Sequence, residues 1–159
     1  MTKASQQTRA VQIIVRNRQR VVQVNSRALQ NFAERALPAC LKLAGRKSAA
    51  LSDLGEVSVA LVSDRRITEL HRRFLNEPGP TDVITFQHGE IFVSTQTAQR
   101  QARVFRTSLE HELCLYIAHG LLHLRGYDDK TPAGAAEMKR LQESVVKKID
   151  RVTERAIHR

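Results

Sequence analysis

The apolar positions of this chain follow two periods, and each period predicts its own elements. An alternation of two, rich in β-branched residues, marks strands at residues 11–16 (VQIIVR), 56–62 (EVSVALV), 83–86 (VITF) and 90–94 (EIFVS). The tight connection through His88, Gly89 and Glu90 makes a hairpin of the last two. A period near 3.6 marks helices. Ser26 is the expected cap of one that runs to Leu43 and ends at Gly45, with a kink or break at Pro38. Asp64 is the expected cap of a second, whose apolar face is Ile67, Leu70, Phe74 and Leu75. The turn NEPGP (76–80) follows, and residues 95–106 read as a third helix. Thr107 and Glu110 form a T-x-x-E capping box for a fourth, which runs to Leu124 and stops before Gly126. Thr131 and Pro132 open a last helix with Met138, Leu141, Val145, Ile149 and Val152 on one face. Strands interleaved with helices, one pair of them a hairpin, predict an α+β fold: a small mixed β-sheet packed against several helices. The length, 159 residues, suits a single domain over 1–159, with residues 1–9 flexible.

Composition narrows the class. Hydrophobic residues at 42% and charged residues at 26% exclude wholesale disorder. No apolar run reaches the ~20 residues of a membrane-spanning helix, and the start MTKASQQTRA lacks the apolar core of a secretory signal. Cys40 and Cys114 stand far apart among apolar neighbours, which excludes a CxxC redox motif or a cysteine zinc site. They read as buried free thiols in a reducing compartment. The net charge of +10 is uneven: six basic residues precede the first acid, Glu34. Arg100, Arg103 and Arg106 recur at i, i+3, and the last helix carries Lys147, Lys148, Arg151 and Arg155. Two readings stand side by side, a solvated basic surface and a nucleic-acid footprint. With aromatics at 4% and no Trp, a broad base-stacking platform is not expected, so contacts to backbone phosphates would dominate binding.

The segment Ser108–Leu124 carries the chemistry. Leu109, Leu113, Leu115, Ile117, Leu121, Leu122 and Leu124 surround most of its circumference, the signature of a buried helix. It nevertheless holds His119 and His123, one turn apart on one face, with Glu112 on the same stripe. Buried polar groups need partners, and a metal ion is one such partner for two imidazoles at i, i+4. Asp129, six residues past His123 and beyond the Gly126 stop, can fold over the same ion. Three protein ligands would leave one position for water, as in catalytic rather than structural sites. Neutral core histidines, hydrogen-bonded to their surroundings, are the competing reading. Gly120 follows His119 where the H-E-x-x-H protease signature has its Glu, which argues against a zinc peptidase.

The run His119-Gly120-Leu121-Leu122-His123-Leu124-Arg125-Gly126-Tyr127-Asp128-Asp129 resembles the signature of the YbeY family, in its variant with Asp at the last position. Pro80–Phe86 (PTDVITF) and Gly89–Ser94 (GEIFVS) resemble two further blocks of that family, and the likeness covers roughly residues 55–145. The resemblance implies a YbeY-like α+β fold with a buried metal-binding helix across the sheet. It also implies one divalent metal ion, usually zinc, held by His119, His123 and Asp129. The implied activity is a metal-dependent endoribonuclease cutting single-stranded RNA in small-subunit rRNA maturation and ribosome quality control in the cytoplasm. Its implied partners are an rRNA precursor and the ribosomal small subunit or its proteins, with no membrane. The alternative is a ribosome-assembly factor that binds RNA or protein and uses the metal structurally. Two departures from the family pattern bear on the site. Asp for the third His favours harder metals such as Mn or Mg. Leu75 stands where the family often has Arg, and Arg72 or Arg73 on the same helix could replace it. No catalytic residue is assigned: the base remains open among the metal's water, Asp82, Glu112 and the RNA 2′-hydroxyl.

Overall fold

The computed structural model describes residues 9–46 and 50–157. The segment 1–9 expected to be flexible lies, except for Arg9, outside the described residues. Four strands form one sheet: β1 (Gln12–Asn17), β2 (Glu56–Val62), β3 (Val83–Phe86) and β4 (Glu90–Ser94), in the order β1-β2-β4-β3. β1, β2 and β4 run parallel, and β3 returns antiparallel to β4, so the sheet is mixed and the predicted hairpin is present. Five helices complete the fold: α1 (Ser26–Leu41), α2 (Asp64–Leu75), α3 (Thr95–Phe105), α4 (Leu109–Leu124) and α5 (Pro132–Ile157).

The strands alternate between two faces, and each face has its own core. Ile13, Val57, Val59, Leu61, Ile91 and Val93 point to the face covered by α1, α4 and α5. Ala60, Val62 and Ile84 point to the other, where α2 packs through Ile67 and Leu70. The outer edge of β1 is closed by a side chain: the Gln30 amide donates to Ile13 O at 2.9 Å and accepts from Val15 N at 2.7 Å. That occupies groups a second chain could otherwise pair with.

Helix boundaries differ from expectation by small, explicable amounts. Asn25, not Ser26, caps α1, its side chain accepting from Ala28 N. The helix runs unbroken through Pro38 and ends at Leu41, because Pro38 sits on the exposed side of its last turn. Ser63 rather than Asp64 caps α2, and Ser108 rather than Thr107 caps α4. Thr107 Oγ1 is committed elsewhere, donating to Glu112 Oε1 at 2.6 Å, so the capping box does not form. α3 stops at Phe105, with Arg106 left-handed at its end, so the three arginines do not line one helical face. Phe74, Leu75 and Val152, expected on apolar faces, are half exposed, because α2 and α5 outrun the surface that covers them. Both cysteines are buried and unpaired, and burial pushes the Cys40 thiol up to about 12.

α4 lies against α1, α3, α5, β3 and β4, which explains its nearly continuous apolar circumference. At Gly120 it approaches the sheet closely. A Cβ there would meet Ile91 Cγ2 at 2.7 Å and Cδ1 at 2.8 Å. At the position where a peptidase has its Glu, even a methyl group would force Ile91 to shift.

α2 and α3 are tied together by Asp64. Its carboxylate accepts from Ser94 Oγ at 2.7 Å, Thr97 Oγ1 at 2.9 Å and Arg100 Nη1 at 2.6 Å. Burial works to raise its pKa, but the hydrogen bonds from Arg100, Ser94 and Thr97 outweigh it and hold the carboxyl below its usual value.

Two outcomes follow. Gly120→Ala should lose about 1–3 kcal/mol to overpacking, or roughly 2–10 °C in Tm, despite the better helix propensity of Ala; an unchanged melting curve would refute the tight contact with Ile91. A folded-state pKa below the unfolded one means that Asp64 stabilises the protein fully above about pH 4 and loses this as pH falls through the lower folded value. Asp64→Asn should therefore melt below the wild type at neutral pH, by about 1 kcal/mol, and the gap should close in acid. Melting across pH 2–7 reads both.

Candidate metal centre

The last turn of α4 and the chain after it build the site. Arg125 Nε and Nη2 donate to Leu43 O at 2.9 and 2.8 Å, and Nη2 also donates to Leu41 O at 3.0 Å, fastening the end of α4 to the end of α1. Gly126 has φ +97, and a Cβ there would lie 2.8 Å from Arg46 Cβ and 3.1 Å from Arg46 O. Only glycine fits this sharp turn. Tyr127 is pinned by its hydroxyl, which donates to Ala44 O at 2.9 Å, with the Arg46 guanidinium over its ring. From this anchored corner the chain turns back to Asp129.

The turn brings together the three residues the sequence singled out. His119, His123 and Asp129 each offer a ligand atom, all within 4.8 Å of one another. His119 Nε2 lies 2.9 Å from His123 Nε2 and 3.6 Å from Asp129 Oδ2, and His123 Nε2 lies 3.9 Å from Asp129 Oδ1. These separations bracket the roughly 3.3 Å edge of a tetrahedron with metal–ligand bonds near 2.0–2.1 Å.

Hydrogen bonding sets the direction of each ring. His123 Nδ1 lies 3.0 Å from Tyr127 O, which can only accept, so Nδ1 carries the proton. His119 Nδ1 lies 2.9 Å from Gln142 Oε1 on α5 and is held in the same tautomer. Both Nε2 atoms then present lone pairs to each other with no proton between them. Such an arrangement calls for a cation, and a divalent metal is the fitting one. Burial lowers the His123 pKa, the adjacent His119 adds to it, and Asp129 opposes both. The result favours the neutral, metal-binding form. The group can hold a divalent metal ion through two nitrogens and one carboxylate oxygen.

The other candidates stand apart. Glu112 is buried two turns earlier on α4 and bonds Thr107 rather than either imidazole, so it does not orient them. Asp82 folds into its own turn, accepting from Val83 N at 2.8 Å and Thr81 Oγ1 at 3.3 Å. Arg72 and Arg73 lie exposed in the last turn of α2, with Arg73 over the Phe74 ring. Gln142 was not anticipated. Its trace in the sequence is a lone amide one turn after Met138 and three residues before Val145, on the apolar stripe of α5. The Tyr127 carbonyl left no such trace, since every residue has one.

A mixed α+β sheet with a buried helix bearing a His-His-Asp cluster defines the class of small proteins with a candidate metal centre of this type. Residues 14–150 match the family model described as Endoribonuclease YbeY, and the chain belongs to that family. It is 40% identical over 120 residues to endoribonuclease YbeY of Anaeromyxobacter sp. strain Fw109-5, covering 67% of this chain and 62% of that protein. It is 39% identical over 110 residues to the Moorella thermoacetica protein of the same name, covering 57% and 70% of the two. The solution structure of TM1509 from Thermotoga maritima superposes with a TM-score of 0.58 at 30% identity, covering 86% of this chain and 87% of the other.

Gly126→Ala should cost more than about 1 kcal/mol, because it is strained at positive φ and collides with Arg46. Equal stability of the two proteins in urea would show that the corner is not fixed by this glycine.

Proposed function

We propose that this chain is a metal-dependent endoribonuclease that cleaves single-stranded RNA in small-subunit rRNA maturation and ribosome quality control. Its metal is zinc, with Mn or Mg admitted by the Asp ligand, and it works in the cytoplasm on an rRNA precursor, alongside the small subunit or its proteins. The observation that carries this reading is the facing pair of Nε2 lone pairs beside Asp129, in a chain of the YbeY family.

A bound divalent ion would supply electrophilic activation of a phosphoryl oxygen or acidify a water. The protein's own part is to hold and aim. Gln142 and the Tyr127 carbonyl keep both imidazoles in the tautomer that leaves Nε2 free. Asp129, half exposed, closes the ligand set from the solvent side. Three ligands leave room for a substrate oxygen, which supports catalysis over a purely structural ion. Exposed Lys and Arg on β1, α2 and the outer half of α5 offer contacts to flanking phosphates. Arg72 and Arg73 stand beside Leu75, the position where the family's Arg is missing, and supply the charge it would have brought. The ends of the products identify the nucleophile: a 2′,3′-cyclic phosphate means the RNA's own 2′-hydroxyl, and a plain phosphate means water.

Two variants test this. His123→Ala should stay folded, lose its metal by elemental analysis, and lose RNA cleavage with it. A folded, metal-free variant that still cuts would sink the proposal, and one that unfolds on losing the ion would favour the assembly-factor role. Gln142→Leu keeps all three ligands and releases only His119 Nδ1. It should weaken metal affinity by about 10–100-fold with little change in Tm.

A further inference from the structure

Beside the histidine pair, α4, α5, the end of α3 and the segment before β3 enclose a cavity of about 660 Å³. That is the size of a small-molecule pocket. It adjoins the metal centre, because Gln142 lies in its wall and reaches His119. Its charged lining is acidic: Asp82, Glu112 and Glu143 against Lys139. A phosphate would be repelled there, whereas a group presenting N–H donors would be drawn in.

Glu112 is the deepest of these carboxylates, only 4% exposed. Its Oε1 accepts from Thr107 Oγ1, and no donor reaches its Oε2 among the described residues. Oε2 is not sealed off either. The fully buried side-chain polar atom left without a partner, among the described residues, is Thr85 Oγ1. Oε2 therefore keeps contact with the cavity. An acceptor held in a nearly dry wall, and making no ion pair among the described residues, calls for a donor from a ligand. Phe105, 65% exposed, lines the same cavity and offers an aromatic ring to its contents.

We infer that this cavity takes one unpaired nucleobase of the RNA, guanine by preference, stacked on Phe105 and read by Glu112. The inference rests on the endoribonuclease reading. Single-stranded RNA is read in this way, by stacking on aromatic side chains and hydrogen bonds to the Watson–Crick edge. Guanine presents two adjacent donors on that edge, N1–H and the 2-amino group, matching a carboxylate. Adenine and cytosine present one amino group beside a ring nitrogen that repels it. Uracil presents one N–H flanked by two carbonyl oxygens. The order is guanine, then adenine and cytosine, then uracil.

The test is binding of labelled 2′-O-methyl hexanucleotides, which resist cleavage through the 2′ position. Each has uracil at five positions and G, A, C or U at one, and fluorescence anisotropy is read with the metal-loaded full chain. The G hexamer should bind roughly tenfold to a hundredfold tighter than the all-U hexamer. Glu112→Gln should erase that preference, since it puts an N–H donor in the wall while its amide oxygen can still accept from Thr107. If the wild type binds all four alike, or Glu112→Gln keeps the preference, the inference falls. Cleavage of unmodified RNA by the wild type would then leave the endoribonuclease reading standing, whereas loss of both binding and cleavage overturns both. Phe105→Ala alters an exposed position and keeps the inference falsifiable if Glu112→Gln does not fold. It should weaken all four hexamers by roughly fivefold to a hundredfold with their order unchanged, and wild-type affinities would overturn the stacking.

Discussion

The structure turns on one helix that is buried around most of its circumference yet carries polar side chains. α4 meets the sheet and three other helices, so nothing on it can be left to solvent without a reason. Its leucines and Ile117 fill the surrounding layers. Its polar residues must find partners in the protein or in a ligand, because an unpaired buried polar group costs a few kcal/mol. Glu112 finds half a partner in Thr107, and the two histidines find Gln142 and the Tyr127 carbonyl. What stays unsatisfied is the chemistry: two imidazole lone pairs facing each other, and one carboxylate oxygen open to a cavity.

The packing that buries α4 also limits what it can do. Gly120 lets the helix come so close to β4 that any side chain there would collide with Ile91. A general base in that position is sterically excluded, so the difference from the H-E-x-x-H peptidases is built into the contact between helix and sheet. The far end of the helix is equally constrained. Arg125 and Tyr127 bond the carbonyls of Leu41, Leu43 and Ala44, and this fixes the corner from which Asp129 returns. The position of the third candidate ligand thus depends on residues more than eighty positions away in the chain.

Charge is divided between the surface and the site. The basic excess lies mainly on exposed helix faces and loops, while the charged residues that line the cavity beside the candidate metal centre are acidic but for Lys139. A polyanion would be held by its backbone outside and kept from sliding its phosphates into the cavity. On the proposed function, this separation would leave phosphates to the surface and a bound metal, and the cavity to uncharged donors.

Local pattern determined a great deal. The four strands, the hairpin, the fourth helix with its Gly126 stop and the candidate set His119, His123 and Asp129 are legible in short-range periods and spacings, although the contacts that hold the corner returning Asp129 to the histidines are long-range. The cap of α4 shifted by a residue because the Thr107 hydroxyl is claimed by Glu112, five residues on across the first turn. The cover of Phe74, Leu75 and Val152 depended on where neighbouring elements end, which no periodicity records. Only the tertiary structure decided how the histidines are oriented, through an amide on α5 and a backbone carbonyl. Only it showed that Glu112 faces a cavity rather than the imidazoles. Sequence spacing determines which face of a helix a side chain leaves, but the atoms it meets there come from other elements, and their positions are set by packing of the whole core.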